Sequence, residues 1–119
     1  MPNSQKNLYK KLYGKRGEDL AVNYLKDLGY KILERNYAIR QAEADVIIEK
    51  DNKIIFVEVK SRTTLKYGTP SEAVNYRKQK KYRELALIYL QKKGLENFEI
   101  SFAVVEVVGE QVSVIWEAF

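Results

Sequence analysis

Three residues of this chain have the types and spacing to do chemistry together: Asp45, Glu58 and Lys60. Neither histidine nor cysteine occurs among the 119 residues. That removes the usual general base, any thiolate nucleophile and the common nitrogen and sulfur metal ligands. Oxygen chemistry remains. Carboxylates can hold a hard cation, magnesium or manganese, while a lysine orients water or stabilises negative charge growing on a phosphate. Over residues 54–60, alternation puts Ile54, Phe56, Glu58 and Lys60 on one face and Ile55, Val57 and Val59 on the other. A strand apolar on both faces is a buried central strand, so its charged end is expected where the sheet opens into a cleft.

The preceding segment aligns a second acid with the first. Lys50-Asp51-Asn52-Lys53 is a turn by composition between β-branched runs at 44–48 and 54–59. If Lys50 faces Lys53, the hairpin register sets Asp45 opposite Glu58 and Glu43 opposite Lys60. Facing carboxylates repel by roughly 0.2–1 kcal/mol unless something bridges them, and a divalent cation would do so. Taken singly, each residue has an ordinary explanation as a strand-end charge or a cross-strand ion pair. Taken together, two acids and a lysine at one strand end point to a metal site. Glu18 joins them by helical spacing, since Ala21, Val22 and Leu25 follow it on the same stripe and a core-facing carboxylate needs a partner. A carboxylate favoured early in a helix is the plainer account of Glu18 alone.

The elements that must position these residues alternate along the chain. A helix is predicted over 14–28, stopped by Gly29, and a strand of mixed patterning over 30–39, followed by the hairpin. Thr69-Pro70-Ser71-Glu72 reads as a capping box opening a long helix through Val74, Tyr82, Leu85 and Tyr89 to Gly94. Strands are predicted over 98–108 and 111–116. The order α-β-β-β-α-β-β implies an α/β sandwich with a central mixed β-sheet flanked by helices, because the strand after the long helix can return parallel by a crossover. At this length the chain is expected to be a single domain over 13–119, preceded by a basic segment, 1–12, expected to fray or lie over the surface.

The absence of cysteine, of an apolar leader and of any transmembrane-length run makes a soluble cytoplasmic protein without membrane contact the expectation. The net charge of +5 is modest, but it is clustered. Lys6, Lys10, Lys11, Lys15 and Arg16 lie at one end, and Arg77, Lys78, Lys80, Lys81 and Arg83 fall in one short run. Such clusters suit polyanions, and Tyr9, Tyr13, Tyr37, Tyr67 and Tyr76 could stack on bases. A solvated helix face and half-buried tyrosines are the plain alternatives.

At these residues the chain resembles a known family. Asp45 followed by Phe56-Val57-Glu58-Val59-Lys60 resembles the D…(D/E)xK core of the PD-(D/E)xK nuclease superfamily, which includes restriction endonucleases and archaeal Holliday-junction resolvases. The chain is most similar to the YraN-like family of small uncharacterised bacterial proteins. The shared segments are Gly14-Lys15-Arg16-Gly17-Glu18, Gly29-Tyr30-Lys31-Ile32-Leu33-Glu34-Arg35-Asn36-Tyr37, Glu43-Ala44-Asp45, Phe56-Val57-Glu58-Val59-Lys60-Ser61-Arg62, Lys78-Gln79 and Glu117-Ala118-Phe119. Ala42 and Ala44 stand where the family usually has Gly and Ile, and Ser101 and Ala103 where it reads Arg and Asp around Phe102.

The resemblance implies a restriction-endonuclease-like fold. It implies Asp45 and Glu58 as ligands of magnesium or manganese, Lys60 as the catalytic lysine, Glu18 as an accessory acid and Gln79 beside the same cleft. The expected activity is metal-dependent endonucleolytic hydrolysis of DNA, including branched or recombination intermediates, with Lys15, Arg16, Arg62, Lys78, Gln79, Lys80 and Lys81 contacting nucleic acid. By analogy, two copies could pair as a homodimer. The alternatives are a non-catalytic nucleic-acid-binding module and a protein-interaction domain on the same scaffold.

Overall fold

The computed structural model describes residues 3–62 and 74–119, with side chains from residue 14 onward. The elements are α1 (Asn3–Asp27), β1 (Lys31–Ala38), β2 (Glu43–Lys50), β3 (Lys53–Arg62), α2 (Tyr76–Lys93), β4 (Glu99–Val108) and β5 (Gln111–Ile115). This is the predicted order. The five strands form one sheet in sequence order, antiparallel except where β4 lies parallel to β3. That parallel pair follows from α2, which carries the chain back across one face between the two strands.

Each face of the sheet is covered by one helix. Ala21, Val22 and Leu25 of α1 pack on Val46, Ile48, Ile55, Val57, Ala103, Val105 and Val107. Tyr82, Leu85, Ala86, Tyr89 and Leu90 of α2 pack on Ile47, Ile54, Phe56 and Phe102. Consecutive residues of β2 and β3 thus enter opposite cores, as expected of central strands. Gly17 brings α1 close to the sheet, since a β-carbon there would lie 1.8 Å from Ser61 Oγ.

The hairpin follows the predicted register. Lys50 pairs with Lys53 and the ladder continues to Val46 opposite Val57. Asp51 and Asn52 have φ of 51° and 65°, the left-handed pair of a type I′ turn, which asparagine and aspartate tolerate. In β1 the register shifts between Ile32 and Glu34, which accounts for the mixed patterning of that segment.

Two element boundaries differ from expectation. Helix α1 begins at Asn3 rather than residue 14, so helical backbone covers most of the basic segment expected to fray. The apolar stripe starts only near Ala21, and periodicity could not report the earlier turns. Helix α2 begins at Tyr76, where Asn75 Oδ1 accepts from the Lys78 amide at 2.9 Å. Val74 is buried but precedes this helix. The capping box at 69–72, Tyr67 and the side chains of Lys6, Tyr9, Lys10, Lys11 and Tyr13 lie outside the described residues. No helix among the described residues is long and apolar enough to cross a membrane.

Candidate functional site

The site forms where β2 and β3 part company. Their ladder ends at Val46–Val57, one step short of Asp45 and Glu58, so neither that pair nor Glu43 with Lys60 is bonded in the ladder as expected. Instead the Asp45 side chain takes over, and its Oδ2 accepts from the Val59 amide at 2.7 Å. Burial, and then the charge of Glu58, push the Asp45 carboxyl from 3.8 up to about 7, with Glu18 adding to the same effect. The two acids and Glu18 therefore sense one another at one end of the sheet.

Glu58 is 7% exposed. Lys78 Nζ donates to its Oε1 at 2.5 Å, Lys60 Nζ lies 3.3 Å from the same oxygen, and the Tyr82 hydroxyl donates to Oε2. Burial, and then Glu58, hold the Tyr82 phenol above its ordinary pKa, so it remains a donor. Lys78 and Tyr82 sit four residues apart on α2 and so reach the same point of the sheet. An aromatic wall supports Tyr82. Phe119 stacks on Phe102 at 4.7 Å and packs edge-on against Tyr82, while the Ala118 amide donates to the Phe102 carbonyl at 2.8 Å. The terminal Glu117-Ala118-Phe119 segment is thereby tied to the residue that orients Glu58.

Glu18 lies on the α1 side. Its Oε1 is enclosed without a hydrogen bond, and Arg35 Nη2 stands 3.7 Å away while bonding Asp19 at 2.7 Å. An ordinary ion pair thus accounts for much of its burial. Arg62, expected at a nucleic-acid surface, is instead largely enclosed, with Nε 3.2 Å from Glu106 Oε2. Glu106 is 3% exposed and stands beside Lys60 in the parallel register. Sequence reasoning missed it. Alternation with Phe102 and Val104 shows its face, but no turn sets a parallel register. Gln79 is likewise turned inward, its amide donating to the Val74 carbonyl at 3.1 Å.

The other basic candidates divide. Arg16 pairs with Glu110 at 2.8 Å at the β4–β5 turn, and Lys15 is exposed beside it. Lys80 and Lys81 are exposed on α2. A cleft of about 340 Å³, lined by Gln41, Glu43, Asn75, Arg77, Lys78 and Lys81, opens against Tyr82. Arg77, Lys78 and Lys81 outnumber Glu43 among its charged residues, and its inner end reaches Glu58 through Lys78 and Tyr82. Ala103 lies 1% exposed in the apolar core under α1, on the opposite face from Glu58.

Among the described residues no three acidic side chains lie close enough to cage a metal ion. A cation held here would have to keep most of its shell as water, as magnesium commonly does beside one or two carboxylates. Asp45 would gain most from one, because its charged form is disfavoured by burial and by Glu58.

An open mixed sheet between two helices, with acids and lysines gathered at the carboxyl end of a parallel strand pair, makes this an α/β protein with its charged cluster at a sheet end. Residues 17–107 match the model of the Uncharacterised protein family UPF0102, and the chain belongs to that family. A UPF0102 protein of Clostridioides difficile is 48% identical over 94 residues, covering 79% of this chain and 82% of its own. One from Clostridium botulinum is 46% identical over 96 residues, covering 80% and 78%. One from Caldanaerobacter subterraneus is 41% identical over 102 residues, covering 86% and 84%.

Proposed function

We propose that this chain is a divalent-metal-dependent endonuclease that hydrolyses phosphodiester bonds in DNA, branched or recombination intermediates included. The resemblance to PD-(D/E)xK nucleases assigns the roles. The observation that carries the proposal is the acid pair itself, Asp45 held near 7 beside a buried Glu58 with two lysines on it, at the inner end of a basic cleft. Asp45 and Glu58 would hold magnesium or manganese, which supplies Lewis-acid activation of water and of the phosphate. Lys60, 3.3 Å from Glu58, would steady the phosphate as a water oxygen bonds to phosphorus, the bond to the sugar oxygen breaks, and the proton that the water loses is replaced from solvent on the departing sugar oxygen. Lys80, Lys81 and Arg77 would meet neighbouring phosphates, with Lys78 between that surface and Glu58.

The test is a metal-titrated cleavage assay over single-stranded, duplex, flap and four-way-junction DNA, with Glu58→Ala as control. Cleavage dependent on both metal and Glu58 is expected, and none on any substrate would overturn the proposal. One observation favours the second reading, a binding module without catalysis: Lys78 already neutralises Glu58 at 2.5 Å. Binding to the same DNAs that is indifferent to magnesium would favour it.

A further inference from the structure

From the opposite end of the sheet we infer a second binding site, which takes one nucleotide unit by stacking its base on an aromatic pair and holding its phosphate on Lys50. A cavity of about 400 Å³ opens there, lined by Tyr30, Lys50, Lys53, Ser101, Trp116 and Glu117 among others. It lies at the hairpin turn and on the α1 side, where Tyr30 packs with Ile55. Glu58 meets α2 across the sheet, so the two sites are separate.

The aromatic floor is preformed. Tyr30 and Trp116 stack with centroids 5.2 Å apart at 24°, and Trp116 is 40% exposed. A large aromatic ring left open to solvent beside lysines is the arrangement on which a base stacks without needing sequence-specific hydrogen bonds.

Lys50 is a placed cation. Its Nζ donates to the Leu28 carbonyl at 2.9 Å and stands 5.1 Å from the centre of the Tyr30 ring. Gly29 supplies the turn that presents the Leu28 carbonyl to it, at a φ of 92° that side-chain-bearing residues rarely adopt. An ammonium has three protons, and one bond to Leu28 leaves others for phosphate oxygens. Lys53 reaches Glu117 only at 4.0 Å and can turn to the same anion. The cavity has the size of a small-ligand pocket and matches one nucleotide, either free or within a single strand. This site does not depend on cleavage at the acid pair.

Trp116 is the only tryptophan, so its fluorescence reports on this cavity directly. Wild-type protein is titrated with adenosine monophosphate, with oligothymidylate of eight residues and with inorganic phosphate. Saturable quenching by the nucleotides but not by phosphate is expected. A lower dissociation constant for the oligomer, counted per nucleotide, identifies a strand as the natural occupant, and equal values identify a free nucleotide. Lys50→Ala should weaken binding about tenfold or more, the loss of one charge-assisted hydrogen bond. Glu58→Ala should leave the quenching unchanged while removing any cleavage, which separates this site from the first. Should Lys50→Ala unfold, Lys50→Gln serves, keeping most of the stem without the charge, with binding again weakened about tenfold or more, and unaltered binding in it would equally overturn the inference. No quenching by either nucleotide, or quenching unaltered in Lys50→Ala, would overturn the inference.

Discussion

Asp45→Asn should stabilise the metal-free protein at pH 8. Moving a carboxyl from 3.8 to about 7 on folding corresponds to roughly 4 kcal/mol of preference for its protonated form. The sign follows from linkage. The folded pKa lies above the unfolded one, so the unfolded chain releases this proton first and the ionised group costs stability. That cost is absent below pH 3.8, grows as pH rises to about 7, and is constant above. Asparagine cannot ionise, yet its side-chain oxygen can still accept from the Val59 amide. Asp45→Asn should therefore match wild type near pH 4 and exceed it by roughly 2–4 kcal/mol at pH 8, the lower figure allowing for relaxation of the partly exposed site. The repulsion of facing carboxylates alone would give roughly 0.2–1 kcal/mol, so burial supplies most of the effect. Urea unfolding of both proteins at pH 4, 6 and 8 with a chelator measures it. An asparagine variant less stable than wild type at pH 8, or a difference that does not vary with pH, would refute the reasoning.

Further outcomes follow from the packing and charge around the site. Gly17→Ala should cost roughly 1–3 kcal/mol in thermal or urea unfolding, because the added carbon collides with Ser61, and Ser61→Ala should restore part of the loss. Arg62→Ala should cost roughly 3–5 kcal/mol by leaving Glu106 charged and enclosed, with most of it recovered in the double variant carrying Glu106→Gln. Replacing Lys80 and Lys81 with glutamine should flatten the salt dependence of duplex binding by about 2 in log–log slope. Adding Lys78→Gln should flatten it little more, because that ammonium is committed to Glu58.

How far the site could be read in sequence depends on which contacts are local. The Asp51-Asn52 turn and strict alternation place Asp45 and Glu58 at one end of a central strand pair, and the expected ladder fails only beyond Val46–Val57. Helix α2 and its left-handed Gly94 follow from the same kind of periodicity and punctuation. Partnerships made across the fold were not legible. Whether Tyr82 and Lys78 meet Glu58 depends on the angle at which α2 crosses the sheet, which spacing within the helix does not contain. The match of Glu106 with Arg62 depends on a crossover connection that leaves register open. The enclosure of Arg62 was not legible because a polar side chain near a strand end reads as surface when its partner is distant in sequence, and that of Gln79 because spacing does not show a side chain turning back onto the chain just before its own helix.

The central claim, that Asp45 and Glu58 together hold a divalent cation, is met most directly by calorimetric titration of manganese or magnesium into wild type and Asp45→Asn at pH 8. Site-specific binding with near-unit stoichiometry in wild type, lost in Asp45→Asn and weakening as pH falls below about 7, is the expected result. No heat beyond dilution in wild type, or equal binding by both proteins, would contradict it.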